Sequence, residues 1–306
     1  MFIRSYAKIN LALYVKNRRK DGFHNLETIF TSVNLSDKIH LVKHPELIVE
    51  TDSKKVPSGP ANLAYQAALA VKKAFHISDN VRIFIEKRIP MGGGLAGGST
   101  NAAAVVRGLL SFWKISPDPK RITRILRALG SDVPYCYVGG TQLGRGRGER
   151  LTPLLPFPKM ALTLVNPGIH VSTPLAYQSL KRNLTQRRNI INLYDSYNAL
   201  LKRRLGLKEF LHNDFEDAVF KQHPIIRSIR DTFELFSPVG VLMSGSGSTV
   251  FALFESMSNA DTAATYFKKK GFTSFITQTQ GNTHSSSSPP TGGIHGNHGS
   301  QSHPAK

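Results

Sequence analysis

The sequence contains very little cysteine and tryptophan, with one residue of each among its 306 residues. The single cysteine, Cys136, can form neither an internal disulfide nor a cysteine-built zinc site, and this favours a reducing compartment such as the cytoplasm. Long apolar runs are also missing, because Lys, Arg or Gly interrupts each run well before the roughly 18 to 20 residues that a membrane span needs. We therefore expect no transmembrane helix and no membrane partner.

Acidic residues are scarce relative to basic ones: 40 Lys and Arg residues stand against 20 Asp and Glu residues, a formal net charge of +20. Such a surplus attracts polyanions, and nucleic acid, anionic lipid and phosphorylated small molecules all fit it. Hydrophobic residues make up 40% of the chain and aromatic residues 9%, which excludes wholesale disorder. A chain of this length can bury one large core or two medium ones.

The first twenty residues are basic and free of acid, as a transit peptide would be. However, Ile9, Leu11, Leu13 and Val15 alternate with the residues between them, and this period of two is typical of a half-buried strand. We therefore expect a strand rather than a targeting segment. On that strand, Lys8 is expected to lie on the solvated outer face.

Through residues 1–280, segments with helical periodicity alternate with strand-like segments. We interpret the pattern as an α+β fold with two domains, residues 1–155 and 156–280, joined at the proline-rich linker 153–158, with no internal repeat. Asp118 is predicted to cap the third helix. The predicted helices cover residues 62–75, 99–113, 119–129, 174–181 and 208–221 and a C-terminal segment, and the predicted strands cover 81–89, 161–165, both sides of a turn within 239–254, and a C-terminal segment.

Residues 281–306 contain almost no large apolar side chain and carry four of the eleven histidines. This composition predicts a disordered tail. A weak metal site is the alternative, but no helix or strand brings these histidines together.

Residues 90–103 form the most informative stretch of the chain. Five glycines lie here between a predicted strand and a predicted helix, so backbone N–H groups can approach a phosphate while the helix N-terminus adds partial positive charge. Ser99 and Thr100 can offer hydroxyls to phosphate or Mg²⁺. The alternative is a flexible connection. Because five glycines would cost a merely structural loop several kcal/mol of backbone entropy, we favour phosphate binding.

Two common nucleotide motifs do not account for this stretch. Gly92, Gly94 and Gly97 formally satisfy G-x-G-x-x-G, but the Rossmann fingerprint needs an acidic residue at a strand end roughly twenty positions on, and Asp118 lies at a helix start. The Gly-Lys-Ser/Thr ending of a Walker loop and the strings of protein kinases are also missing. Phosphoryl chemistry here therefore indicates another kinase architecture.

Four blocks in chain order resemble the GHMP kinases (galactokinase, homoserine kinase, mevalonate kinase and phosphomevalonate kinase). They are residues 7–11 with 21–24, 90–103, 129–134 and 243–247, and the resemblance spans roughly residues 5–255. It implies a ribosomal-protein-S5 domain 2-like N-terminal domain and a ferredoxin-like C-terminal domain. The form of the blocks resembles one branch in particular, which implies ATP-dependent phosphorylation of a hydroxyl on a cytidine diphosphate-linked polyol of isoprenoid precursor synthesis.

The resemblance also implies site residues. Lys8 and Asp132 would form a catalytic pair, in which Asp132 takes the hydroxyl proton and Lys8 lowers the pKa of that hydroxyl or steadies the phosphoryl charge. From the residues alone, Asp132 is a cap or turn residue and Lys8 is a solvated lysine. Mg²⁺ should accompany ATP, but no protein ligand for it stands out. The implied ATP-binding residues are Pro90, Met91, Gly92, Gly93, Gly94, Leu95, Ala96, Gly97, Gly98, Ser99 and Thr100.

For the cytidine group, the resemblance implies that Phe23 and Tyr177 cover the two faces of the base while His24 reads its edge. Phe23 stands where the related enzymes usually have Tyr, so one hydroxyl contact is lost. Residues 244–248 are explained equally by a hairpin turn or by the third block packing near phosphates and substrate. The implied substrate-binding residues are Asn10, Phe23, His24, Thr173, Tyr177, Ser244 and Gly245.

Two rival functions remain at this point. A GHMP kinase of homoserine or mevalonate type is the nearer one, and residues 23–24 and 129–134 argue against it. A nucleic-acid-binding protein with an S5-like fold is the other, since the same architecture and charge would serve RNA. The basic clusters at 120–127 and 202–204 have few interleaved aromatics and are more simply solvated helix faces. The sequence sets no oligomeric state.

Overall fold

The computed structural model describes residues 1–54, 56–180 and 192–280 and contains two β-sheets. The first sheet has the strand order β3–β4–β2–β1–β8, with β5 paired to the long strand β2 and β6 paired to β5. Its strands are β1 (Phe2–Arg18), β2 (His24–Lys43), β3 (Ile48–Thr51), β4 (Val81–Glu86), β5 (Thr141–Gly146), β6 (Arg150–Pro153) and β8 (His212–Asn213).

The second sheet is antiparallel, with the order β11–β7–β10–β9. Its strands are β7 (Ala161–Asn166), β9 (Gly240–Met243), β10 (Val250–Phe254) and β11 (Thr273–Gln278). The α-helices of the described ranges are α1 (Leu63–Phe75), α2 (Gly97–Phe112), α3 (Pro119–Leu129), α4 (Val133–Val138), α5 (Thr173–Ser179), α6 (Leu193–Leu201), α7 (Leu207–Phe210), α8 (Glu216–Gln222), α9 (Pro224–Phe233) and α10 (Met257–Lys269). Short 3₁₀ turns lie at Gly59–Ala61 and Glu234–Phe236.

Three apolar clusters hold these layers together. One joins α1, α2 and α3 to the outer part of the first sheet, and a second lies between the two sheets. The third joins α8, α9 and α10 to the far face of the second sheet. Strand β7 contributes to two of these clusters. Leu162 and Leu164 face the first sheet, while Ala161 and Val165 face the helices. Both faces of β7 are therefore buried.

Strand β1 differs from the half-buried strand that its alternating pattern predicts. Every residue from Ala7 to Val15 is buried, and Lys8 is only 4% exposed. Ile9 and Leu11 pack in the cluster between the sheets, helix α2 contacts β1, and the Lys8 N–H donates to the Leu95 carbonyl at 3.3 Å. The interpretation of Lys8 as a solvated lysine is therefore wrong, because β1 lies inside its sheet and the Lys8 side chain is buried.

Helices α1, α2 and α3 lie where the apolar periodicity of the sequence predicts them. Asp118 caps α3 as predicted, by accepting hydrogen bonds from the N–H groups of Lys120 and Arg121 at 2.9 and 3.1 Å. The basic side chains at 120–127 that sequence analysis interpreted as a solvated face are exposed, as are those at 202–204. The predicted helix 174–181 is observed as α5, Thr173–Ser179, and residue 181 lies outside the described residues. None of the helices in the described ranges is long and apolar enough to cross a membrane.

The predicted helix over 208–221 is wrong. The chain instead forms α7, the short strand β8 and α8. The interruption has a local cause: Asn213 accepts the N–H of Phe215, and Asp214 accepts the N–H of Val15 on β1. Side chains of this kind compete with helical hydrogen bonds for backbone groups.

Strand β8 pairs in parallel with β1, so a segment of the C-terminal half completes the sheet of the N-terminal half. The linker 153–158 lies between the end of β6 and the start of β7. The division into domains at residue 155 stays a prediction, and the tail predicted for 281–306 lies outside the described residues.

Candidate active site

A cavity of about 1120 Å³ opens where the first sheet, the glycine-rich stretch 92–98 and helix α5 meet. Sites for one small molecule usually measure about 300–1,000 Å³, so this cavity has room for two ligands. Charged groups in its lining are mostly basic and comprise Lys8, Lys16, Arg18 and Arg147 together with Asp132. The field in the cavity therefore favours polyanionic ligands.

Lys8 reaches this cavity from inside β1. Its Nζ donates a 2.7 Å hydrogen bond to Asn10 Oδ1 and lies 5.3 Å from the centre of the Phe30 ring. Asn10 in turn donates to the hydroxyl of Thr28 at 2.7 Å. Since Lys8 and Asn10 are two residues apart, they share a face of the strand, and this hydrogen bond holds the ammonium group in one place.

Asp132 lies at the N-cap position of α4, but its side chain makes no capping hydrogen bond. Its Oδ2 instead lies 3.7 Å from Lys8 Nζ, and the Asp132 side chain remains 36% exposed. A capping or purely structural turn residue would direct its carboxylate to backbone N–H groups. The geometry therefore brings together the two residues that the family resemblance paired, with the carboxylate accessible from the cavity.

The glycine-rich stretch, which we call the glycine loop (residues 92–98), adopts conformations that require its glycines. Gly92 and Gly94 have φ values of +60° and +75°, and a Cβ on Gly94 would lie 1.9 Å from the carbonyl oxygen of Ser244. Ala96 also has a positive φ, +58°, immediately before α2 begins. The loop thus delivers the N-terminus of a sixteen-residue helix to the cavity, a geometry that suits a phosphate.

The turn between β9 and β10, residues 244–249, packs directly on the glycine loop. The Ser244 hydroxyl donates to the Gly94 carbonyl at 3.0 Å, and the Thr249 N–H donates to the Gly93 carbonyl at 3.3 Å. The hairpin reading is therefore confirmed, since β9 and β10 pair from Met243 opposite Val250. The hairpin turn 244–249 also meets the cavity, because Gly245 and Ser246 line it.

Not every residue that the resemblance implies for ATP binding faces the cavity. Leu95 is buried between the sheets, where its carbonyl accepts the N–H of Lys8 at 3.3 Å. The Thr100 hydroxyl donates to the Gly97 carbonyl at 3.0 Å. Pro90 and Met91 precede the loop and do not line the cavity either. The implied ATP-binding residues that do line it are Gly92, Gly93, Gly94, Ala96, Gly97, Gly98 and Ser99.

The aromatic residues are arranged differently from the sandwich that the resemblance implies. The Tyr177 ring stacks on the His24 ring, with centroids 5.0 Å apart and planes 11° apart. Phe23 is 51% exposed, and the guanidinium of Arg147 lies 4.7 Å from its ring centre. All of these side chains line the cavity together with Thr173. The structure thus places the rings at one site, with His24 covering a face of Tyr177.

The electrostatic surroundings of this ring cluster set its protonation. Burial, together with the positive charge of Arg18, holds the pKa of His24 below its usual 6.5, so the ring is neutral at pH near 7. A neutral imidazole offers one donor and one acceptor. Burial and the charge of Asp132 raise the pKa of Tyr177 to about 12, which keeps its phenol protonated.

Several residues of the site were missed by sequence reasoning. Arg147 and His170 line the cavity. Arg147 lies in the turn between β5 and β6, and turns at the surface often carry binding residues, but Arg145 has the same glycine neighbours and does not line the cavity. Nothing in the local sequence distinguishes His170.

The cavity offers oxygen ligands to a divalent cation, but its described residues do not form a complete set of protein ligands. In the parts of the chain that the structure describes, no three His, Cys, Asp or Glu side chains converge on one point. The Ser99 hydroxyl and the Asp132 carboxylate both line the cavity, and such oxygen donors suit Mg²⁺. Mg²⁺ typically keeps several waters and binds through one or two protein ligands plus phosphates, so the donor set fits it.

Comparison with known proteins defines the class to which this fold and site belong. Residues 62–140 match the GHMP kinases N terminal domain, and residues 198–272 match the GHMP kinases C terminal domain. The first range contains the glycine loop and Asp132, and the second contains the hairpin turn 244–249. The class is thus that of the GHMP kinases, and the α+β fold expected from the sequence is confirmed.

Individual relatives show to which branch of the GHMP kinases the chain is most similar. A 4-diphosphocytidyl-2-C-methyl-D-erythritol kinase from Caldicellulosiruptor bescii is 38% identical over 271 residues, 88% of this chain and 94% of the relative. A solved structure of 4-(cytidine 5'-diphospho)-2C-methyl-D-erythritol kinase has a TM-score of 0.80 at 32% identity and covers 92% of this chain and 100% of that one. A homoserine kinase from Cytophaga hutchinsonii shares the fold, with a TM-score of 0.69 at 20% identity over 92% of this chain and 95% of that one. The chain belongs to the 4-diphosphocytidyl-2-C-methyl-D-erythritol kinases of the GHMP kinase family.

Proposed function

We propose that this chain transfers the γ-phosphoryl group of ATP to the 2-hydroxyl of 4-diphosphocytidyl-2-C-methyl-D-erythritol, a step of non-mevalonate isoprenoid precursor synthesis in the cytoplasm. The observation that carries the proposal is the Lys8–Asp132 pair, 3.7 Å apart in a cavity shared with the glycine loop. The names of the relatives supply the substrate. The single, buried cysteine supports the reducing location.

ATP binds through its phosphates at the glycine loop. At the positions of the glycine loop that line the cavity, no side chain extends beyond Cβ, so backbone N–H groups can approach the phosphate oxygens closely. The N-terminus of α2 adds the partial positive charge of its unpaired N–H groups. When bound, Mg²⁺ would neutralise phosphate charge, and Ser99, whose hydroxyl lines the cavity, is a residue that would hold it.

Asp132 and Lys8 act on the acceptor hydroxyl. The hydroxyl oxygen attacks the γ-phosphorus, its proton passes to Asp132, and the bond from the γ-phosphorus to the bridging oxygen of ADP breaks. Lys8 is buried and fixed by Asn10, so its charge stabilises the oxygen that loses the proton without reorganising during the step. A partly exposed carboxylate beside a buried ammonium group is suited to this division of roles.

The cytidine group binds at the ring cluster of Phe23, His24 and Tyr177. His24 is neutral, so its two ring nitrogens can donate to and accept from the edge of the base. His24 covers one face of Tyr177 in this structure, so a base that stacks on that face must displace the His24 ring. The basic side chains Lys16, Arg18 and Arg147 line the same part of the cavity and suit the diphosphate.

A substrate panel tests the proposal. The purified chain is assayed for ADP release with ATP, Mg²⁺ and, in turn, the cytidine diphosphate-linked polyol, homoserine and mevalonate. We expect turnover with the first substrate and less than about one hundredth of that kcat/KM with the others, because a site built to pair with a base edge discriminates strongly. Equal turnover with homoserine or mevalonate would contradict the substrate. Salt-sensitive RNA retention without any ADP release would favour the nucleic-acid alternative instead.

A further inference from the structure

Asn213 lies outside the cavity lining, yet its side chain controls the backbone of the hairpin turn 244–249. It is 4% exposed, and its Nδ2 donates to two carbonyl oxygens, those of Met243 and Gly245, each at 2.7 Å. Its Oδ1 accepts the N–H of Phe215 at 3.0 Å. Because two carbonyl oxygens face the same end of the amide, that end must be the nitrogen. One N–H donor is therefore used on the last residue of β9 and the other on the hairpin turn that follows it.

The neighbours of Asn213 bind the same parts of the molecule. Glu216 Oε1 accepts the N–H of Met243 at 2.8 Å. On the other side, Asp214 Oδ2 accepts the N–H of Val15 at 2.6 Å, and the Asp214 N–H donates to the Leu13 carbonyl at 3.1 Å. Residues 213–216 thus join strand β1, which carries Lys8 and Asn10, to the start of the hairpin turn.

The hairpin turn in turn fixes the glycine loop. The Ser244 hydroxyl holds the Gly94 carbonyl, and the fit between the two is so close that a Cβ on Gly94 would lie 1.9 Å from Ser244 O. A Cβ on Gly245 would lie 3.3 Å from the Gly94 carbonyl and 3.5 Å from Asn10 Oδ1. A displacement of this turn therefore displaces the phosphate-binding backbone relative to the Lys8–Asn10 pair.

We propose that Asn213 is a positioning residue for phosphoryl transfer: its amide fixes the hairpin turn 244–249, and through it the glycine loop, relative to strand β1. The inference rests on the proposed function for its assay. In phosphoryl transfer, in-line placement of the reacting groups supplies much of the rate, and a misplacement of about 1 Å can cost about 10²-fold. No other side chain of this size supplies two donors and one acceptor in this geometry.

The test uses Asn213→Asp, which keeps the shape of the side chain and replaces two donors with a carboxylate that faces two carbonyl oxygens. We expect kcat at about pH 8 to fall by about tenfold or more in the folded protein. The ratio of variant to wild-type kcat should then rise several-fold as the pH is lowered to about 6, because the protonated carboxyl donates one hydrogen bond again. A general loss of packing would not be repaired by acid.

Asn80→Asp is the matched control, since Asn80 Nδ2 also donates to a carbonyl oxygen, that of Pro45 at 2.7 Å, and Asn80 does not line the cavity. Its kcat ratio to wild type should stay near one at every pH. A folded Asn213→Asp protein with kcat within about twofold of wild type, or a deficit that does not shrink in acid, would overturn the proposal.

Glu216→Ala provides the second variant if Asn213→Asp does not fold, because it removes the acceptor of the Met243 N–H at the start of the same turn. We expect a several-fold lower kcat, whereas Glu216→Gln keeps the acceptor oxygen and should keep wild-type kcat. Equal kcat for all three proteins would refute the positioning role. A wild-type chain without turnover on any substrate of the panel would contradict the proposed function instead, so the two failures are distinguishable.

Discussion

The pKa of Glu216 predicts how the free energy of unfolding changes with pH, and the variant Glu216→Gln tests this prediction. Burial raises the pKa of Glu216 from 4.5 to about 7, and Asp217 and Asp231 add to the rise. The Met243 N–H and the charge of Arg230 act in the opposite direction without cancelling it. The folded protein therefore binds the Glu216 proton more tightly than the unfolded chain does.

The sign and size of the effect follow from this difference. Below about pH 4.5 the carboxyl is protonated in both states and costs the folded state nothing. As the pH rises from about 4.5 to about 7, the unfolded chain ionises first, so the free energy of unfolding falls. At about 1.4 kcal/mol for each pKa unit, the full loss above pH 7 is about 2 to 3 kcal/mol once the partial exposure of the carboxylate is allowed for.

Glu216→Gln removes this ionisation and keeps an oxygen for the Met243 N–H. We expect the variant to match wild type near pH 4.5 and to be more stable by about 2 kcal/mol at about pH 8, a Tm several degrees higher for a chain of this size. Denaturant unfolding of both proteins at matched pH values measures the difference, in which other titrating groups cancel. Glu255→Gln is the control, because it removes an exposed charge that does not shift the pKa of Glu216 and should give a small, nearly flat difference. A Glu216→Gln protein that is equally stable or less stable at about pH 8 would refute the reasoning.

Three further predictions concern the active site. Asp132→Asn should lower kcat by about 10²-fold or more and leave the ATP affinity nearly unchanged, and near-normal kcat in steady-state kinetics would remove the base from the mechanism. Gly94→Ala should abolish ATP binding and destabilise the fold, since its Cβ would lie 1.9 Å from the Ser244 carbonyl oxygen. Gly98→Ala is the control and should fold normally, because the nearest atom to its Cβ is 3.5 Å away. Calorimetry measures the ATP affinity of each variant, and thermal unfolding measures its stability. Phe23→Ala should raise KM for the cytidine substrate about tenfold through the loss of ~1–3 kcal/mol of stacking, and an effect on KM for ATP alone would place Phe23 at the adenine instead.

The sequence predicted what is local and repetitive. Helix α3 follows from Asp118 and its apolar period, and the glycine loop follows from glycines between a strand and a helix. Such features depend on backbone conformation and on the neighbours in sequence, so residue types and spacing determine them. The pairing of Lys8 with Asp132 needed the family resemblance, because 124 positions separate the two residues and no local pattern brings them together.

The burial of β1 could not be predicted for a related reason. The alternation from Ile9 to Val15 indicates correctly that one face meets an apolar layer, but Lys8 and Asn10 on the other face look solvated. Their surroundings come from distant parts of the chain, since the Lys8 N–H donates to the Leu95 carbonyl almost ninety residues further along and Asn10 donates to Thr28 on β2. A polar side chain in a strand pattern is compatible with solvent or with a hydrogen-bonded interior, and tertiary packing decides between them.

The helix predicted for 208–221 is interrupted in the structure, although its local sequence pattern is helical. Its apolar residues fit a helical period, and two of them, Phe210 and Phe220, are buried in the helices on either side of β8. Between these helices, Asn213 and Asp214 give their side-chain hydrogen bonds to the backbone of β1 and of the hairpin turn 244–249 rather than to solvent. The interruption loses backbone hydrogen bonds of a continuous helix. In their place, the side chains of these two residues form hydrogen bonds to backbone groups that are distant in sequence. Residues 213 and 214 thereby link β1 to the hairpin that packs on the glycine loop, and these three parts of the chain together line the site.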